Sequence, residues 1–237
     1  MAESKRGFIE GADGKWIEFV EAPLTPEAKA YEAERQALVA AIESKAAPLR
    51  RPLLAELAAA GYAVENPWEL AERKDRYRDA VPILLKWLPL VEDNPTVAEE
   101  VVRALGRPWN KEAVPALLEQ VRTSPFANVR WAAANGLEFT ANHAPVASVA
   151  ALALDVSIDP ETRVMLLRAL AKQARKSDEA RAAIVTAVAD PEIGGHALQF
   201  ALKYELQPSR ESVRRHLDDD RSWARKDAKK LLDQLDS

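Results

Sequence analysis

Three histidines, His143, His196 and His216, are the side chains of this 237-residue chain best suited to proton transfer or metal ligation near neutral pH. None is followed by glutamate, and no two stand at metal-ligand spacing on one helix. His143, in Asn142-His143-Ala144-Pro145, reads as a loop residue. His216, beside Arg214 and Arg215, reads as a solvated one. Asp218-Asp219-Asp220 attracts cations, but with no further ligands at fixed positions it reads as the start of a helix. The chain has no cysteine, no glycine-rich phosphate loop and no nucleophile elbow. No catalytic residue, metal ligand or cofactor is therefore expected, and the chemistry left is recognition.

Recognition needs side chains brought to one face, and a repeat supplies the face. Five segments share a helix–turn–helix plan: 80–106, 113–138, 147–171, 180–203 and 209–235. The leucine near the end of each second helix falls at Leu105, Leu137, Leu170, Leu202 and Leu232, spaced 32, 33, 32 and 30 apart. Val81-Pro82-Ile83-Leu84-Leu85 and Val114-Pro115-Ala116-Leu117-Leu118 open first helices, where proline costs no hydrogen bond. Asn94-Pro95, Ser124-Pro125, Asp159-Pro160 and Asp190-Pro191 are expected to cap second helices. Apolar residues recur at helical spacing, as in Val97, Val101, Val102 and Leu105, with small residues between them. Gly136 costs about 1 kcal/mol inside a helix, which closer approach by a neighbouring helix would offset.

Aligned positions on the second helices pair Glu99 with Arg103, Trp131 with Asn135, Val164 with Arg168, His196 with Phe200 and Lys226 with Lys230. Arg103, Trp131, Asn135, Arg168, His196 and Lys226 are thereby expected to form one partner-binding stripe, an aromatic flanked by arginine and polar groups. Trp131 either stands on that face or fills the groove between neighbouring repeats. Trp87 reads as core, and Trp109 as the filling of an inter-repeat turn.

The period near 32, the Val-Pro-x-Leu-Leu entry, the Asp-Pro turn and an arginine just inside the second helix (Arg130, Arg163, Arg225) resemble HEAT repeats in their short bacterial form. The resemblance covers roughly 80–235. It implies an all-α, right-handed α-solenoid, a superhelix of about five repeats whose second helices line a concave face. Ala98 and Gly195 replace the repeat arginine, so an arginine ladder would be interrupted there. The iron-dependent hydroxylases built on HEAT-like repeats carry His-Glu pairs, which this chain lacks. A bilin lyase-type activity is associated with the short subgroup, and no residue beyond the repeat carries it.

Ahead of the array, 1–24 contains Asp13-Gly14 between two β-prone runs and reads as a small N-terminal hairpin or flap. Residues 25–79 read as irregular capping helices. Thr25 caps the first helix, Pro48 breaks it, and a second helix from Leu49 to Ala60 ends at Gly61. Asn66-Pro67-Trp68-Glu69 repeats the capping plan, with Glu69 reaching back to the Asn66 amide. Residues 80–237 then form one continuous array.

With 33 Lys+Arg against 37 Asp+Glu the net charge is −4, which argues against a general nucleic-acid binder while leaving room for a local patch. The longest near-apolar run, Ala144 to Leu154, is far short of the ~20 residues of a membrane span. The start, MAESKRGFIEG, lacks the apolar core of a signal peptide, and the absence of cysteine fits a reducing compartment, so a cytoplasmic location is expected. The function expected is a non-catalytic scaffold that docks a protein or peptide on the concave face. The alternative is a DNA-acting enzyme of the HEAT-like alkylpurine DNA glycosylase class, which resembles the chain in fold class only. There, Glu138 one turn from Asn135 would be the acidic group.

Overall fold

The computed structural model describes residues 6–10, 16–20 and 25–236, with side chains from residue 25 onward. The chain divides into two compact units, Met1–Ala47 and Pro48–Ser237. In the first unit, strands β1 (Arg6–Glu10) and β2 (Trp16–Val20) pair antiparallel with Phe8 opposite Glu18. The turn expected at Asp13-Gly14 lies outside the described residues. Helix α1 (Pro26–Ala59) opens where Thr25 accepts the Ala28 amide at 3.2 Å, and the division between the units falls inside it.

Pro48 does not break α1, contrary to the sequence expectation. Pro48 and Pro52 both stay inside the helix and both face solvent, so the carbonyls they leave without donors remain open to water. The opposite side buries Leu53 and Leu57 completely, and that burial holds the segment helical. The end comes where expected. Gly61 adopts φ +91°, and the Tyr62 amide closes a 2.9 Å bond to the Leu57 carbonyl. Beyond it Asn66 caps a 3₁₀ turn, Pro67–Glu72, by accepting the Glu69 amide. The Glu69 carboxylate returns to the Glu65 backbone amide and the Asn66 side-chain amide, one residue away from the backbone group expected.

The second unit is built of consecutive helices: α2 (Ala80–Trp87), α3 (Pro95–Leu105), α4 (Val114–Thr123), α5 (Ala127–Phe139), α6 (Val146–Ala153), α7 (Pro160–Gln173), α8 (Asp178–Ala187), α9 (Gly194–Lys203), α10 (Arg210–Arg214) and α11 (Ser222–Asp236). Helices α3, α5, α7, α9 and α11 pack each on the next, and α4, α6 and α8 do the same in a second layer. Val97, Val101, Leu105, Val129, Leu137, Leu166, Leu170 and Leu198 lie fully buried between the layers. Leu202 and Leu232 are only half-buried. Counted from the Asp190 turn, the fully buried Ala201 takes the place in α9 that Leu170 holds in α7. Among the described residues no helix is long and apolar enough to cross a membrane.

Gly106 and Gly136 meet back to back. A Cβ on Gly106 would lie 2.7 Å from the Gly136 Cα, so only hydrogen on both lets the end of α3 approach α5 this closely. That contact answers the helix cost of Gly136.

The turns hold the layers in register. Asn94 and Asp159 cap α3 and α7 by accepting the amides of Val97 and Thr162. Ser124 does not cap: α5 starts three residues later, and the Ser124 carbonyl instead accepts Arg130 Nη1 at 2.9 Å. Asp190 accepts the amides of Glu192 and Ile193 in a turn ahead of α9. Arg130 reaches forward to Asp159 at 2.9 Å, and Arg163 reaches forward to Asp190 while donating to the Ala153 carbonyl at 3.0 Å. Each arginine thus ties its own helix to the cap of the next. At Gly195 the step is empty, and the guanidinium of Arg221 fills it from the following turn, bound to Asp219.

His216, expected in solvent, is buried. One ring nitrogen lies 2.7 Å from the Val188 carbonyl and the ring lies against Gly194. Trp87, expected as core, is half-buried and donates to Glu56 at 2.7 Å. Trp109 stacks edge-on against the buried ring of Tyr77 at 5.1 Å, inside a turn.

Candidate functional site

Helices α3, α5, α7, α9 and α11 place the stripe residues as follows. Arg103 on α3 is exposed, ion-paired to Glu99 one turn earlier, and lies 5.4 Å over the ring of Trp131. Trp131 and Asn135 on α5 are half-buried, so Trp131 is neither core nor free surface. Arg168 on α7 is exposed and pairs with Glu138 of α5 at 2.9 Å. His196 on α9 is half-buried and stacks on Trp223 of α11 at 4.9 Å. Burial lowers the proton affinity of His196 most, followed by the charges of Arg221 and Arg168, against a smaller opposing pull from Asp219. The imidazole therefore stays neutral at pH 7. Lys226 is exposed in a hollow lined also by Trp223 and Lys229.

Arg103, Trp131 and Asn135 are thus brought together, whereas Arg168 engages Glu138 and acts on His196 only through its charge. Three triads of carboxylate, cation and aromatic ring recur along this row. Glu99, Arg103 and Trp131 form the first. Glu138, Lys172 and Phe139 form the second, with Lys172 lying 5.4 Å over the ring. Asp219, Arg221 and Trp223 form the third, at 5.1 Å. In each the carboxylate lies deeper than the cation: Glu138 is 10% exposed against 46% for Lys172 and 53% for Arg168. The outermost groups are therefore positive although the chain as a whole is negative. The Arg221 hydrogen bond comes first among the causes that hold the Asp219 carboxyl well below the usual range.

A cleft of about 180 Å³ opens beside the first triad, lined by Trp68, Glu72, Arg103, Arg107, Asn135 and Phe139, with Gly106 and Gly136 in its wall. Sequence reasoning passed over Trp68, Arg107 and Phe139. Phe139 continues the spacing of Trp131 and Asn135 by one more turn, a signal that could have found it. Trp68 reaches the cleft because the 3₁₀ turn that carries it packs on α3, a contact no periodicity encodes. Glu138 is fully engaged by Arg168 and Lys172, so it is not a free acid near Asn135. Among the described residues no cluster of His, Asp and Glu is placed to hold a metal ion.

Compared with known proteins, residues 36–138 match the family model of HEAT repeats. No curated protein matches the chain, and neither does any solved structure. The match starts earlier than the resemblance read from the motifs, inside α1, and ends with α5. By its sequence in that stretch and by its paired helices, the chain is similar to HEAT repeats.

Proposed function

We propose that the chain is a non-catalytic binding scaffold, a right-handed solenoid of about five HEAT-like repeats, that docks a protein or peptide along the row formed by α3, α5, α7, α9 and α11. HEAT repeats generally mediate protein interactions. The observation that carries the reading is the recurrence of the triads. A cation held over an aromatic ring, with its carboxylate tucked beneath, is a rigid contact that loses little freedom when a partner arrives. An extended row of such contacts suits a segment lying across several repeats. A cysteine-free scaffold of this kind suits the reducing cytoplasm.

The test is partner capture from the native host by the chain and by Trp131→Ala, Lys226→Glu and Arg168→Gln. Glutamine is used at 168 because glutamate there would set a second carboxylate against the buried Glu138. Loss of a hot-spot aromatic costs about 2 kcal/mol or more, so Trp131→Ala is expected to release most of the captured partner. Undiminished capture by all three variants would remove this face from consideration.

A further inference from the structure

We infer that the cleft between Trp68 and Phe139 takes an acidic peptide segment, one bulky apolar side chain entering between the rings and a neighbouring carboxylate meeting Arg107. The inference rests on the docking reading above and names the chemistry of the partner. Two of the few large apolar side chains left exposed, Trp68 at 39% and Phe139 at 45%, face this one hollow from elements far apart in sequence. At about 180 Å³ it is well below the ~300–1,000 Å³ of a small-molecule site, so it accommodates a side chain rather than a whole ligand.

Its charge is lopsided. Arg107 forms no ion pair among the described residues, and its Nε is buried without a hydrogen-bond partner. The buried Nε is out of a partner's reach, but Arg107 also lines the cleft, and a carboxylate is the group that matches a guanidinium in charge and shape. Arg103 adds a second cation at the rim, already half-neutralised by Glu99. Glu72, the one acidic residue lining the cleft, sits exposed and sets the price of a second partner carboxylate nearby. A nucleic-acid strand fits less well. Arg168, Lys172 and Arg221 already hold carboxylates, and the hollow is too small to take a nucleotide.

The test follows the indole N–H signals of the whole chain by NMR while adding a short capped peptide of Glu, Ser and two Phe residues. Its Lys-for-Glu counterpart and oligothymidylate are added in parallel. The acidic peptide is expected to shift the Trp68 signal, and Arg107→Gln to weaken its binding by about tenfold. Glu72→Gln, an exposed change that leaves the packing alone, is expected to tighten binding a few-fold by removing repulsion. Equal binding of the Lys peptide, a Trp68 shift with oligothymidylate, or affinity indifferent to both Arg107→Gln and Glu72→Gln would each overturn the inference. If Trp131→Ala still releases the native partner while the acidic peptide ignores the cleft, this inference alone fails. If native capture is indifferent to every face variant, the docking reading fails.

Discussion

Arg163 ties α7 to the turn ahead of α9. Its side chain is 1% exposed, and its charge is met by Asp190 from the following turn, with Glu192 at 3.5 Å. Asp190→Ala would leave a buried guanidinium nearly alone, at an expected cost of about 3–5 kcal/mol in urea unfolding. Asp159→Ala, whose partner Arg130 is partly solvated, is expected to cost about 1–3 kcal/mol. Equal losses would contradict this ranking. Both carboxyls are held below their ordinary range. Burial pushes them up, but accepted amides and the arginines outweigh it. The stabilisation is therefore complete above the unfolded carboxyl value of about 3.9 and is lost as pH falls through the lower folded values. Asp190→Asn should narrow the stability difference between neutral and acid solution, and an unchanged difference would count against the pair. The repeat arginines were legible in sequence, but the partners of Arg130 and Arg163 were not, since each lies about a whole repeat downstream. His216 misled for the same reason: its charged neighbours suggested solvent, while burial is set by Val188 and Gly194 of the preceding turn.

Helix starts and close approaches decide the elements. Gly106 lies just past the end of α3, so alanine there gains no helix propensity and meets the Gly136 backbone at 2.7 Å. Gly106→Ala is expected to lower stability by about 1–3 kcal/mol. At Gly195 a Cβ would meet the Arg221 guanidinium, held by Asp219, at 2.7 Å and the Ala224 Cβ at 3.2 Å, but no backbone, and α9 gains propensity, so Gly195→Ala should cost less than Gly106→Ala. Thermal unfolding of the two variants decides it, and a larger loss at 195 would refute the reading. In α1, Pro48→Ala restores an amide to a helix that already exists and should raise stability, read as a higher urea midpoint. No gain would mean that the helix is bent to suit the proline. The paired helices were readable because capping and apolar spacing agree locally. Pro48 and Ser124 were misread because whether a proline ends a helix, or a serine caps one, depends on which face packs.

At the largest scale, the two layers of helices in the second unit leave one row whose cations lie more exposed than their carboxylates. Such a surface should bind its partner less tightly as salt rises, because exposed charges are screened within about 10 Å at 0.1 M. Capture indifferent to salt would argue for purely apolar docking. The row was partly legible, because equivalent positions of a repeat share a face. Its triads were not, since Lys172 and Phe139 come from different helices. The most direct test of the docking face is site-specific photocrosslinking to the native partner, from a benzoylphenylalanine placed at Asn135 on α5 or at Arg122 on α4. The account expects adducts from position 135 and none from 122. Adducts from 122 alone would place the partner on the other layer and contradict it.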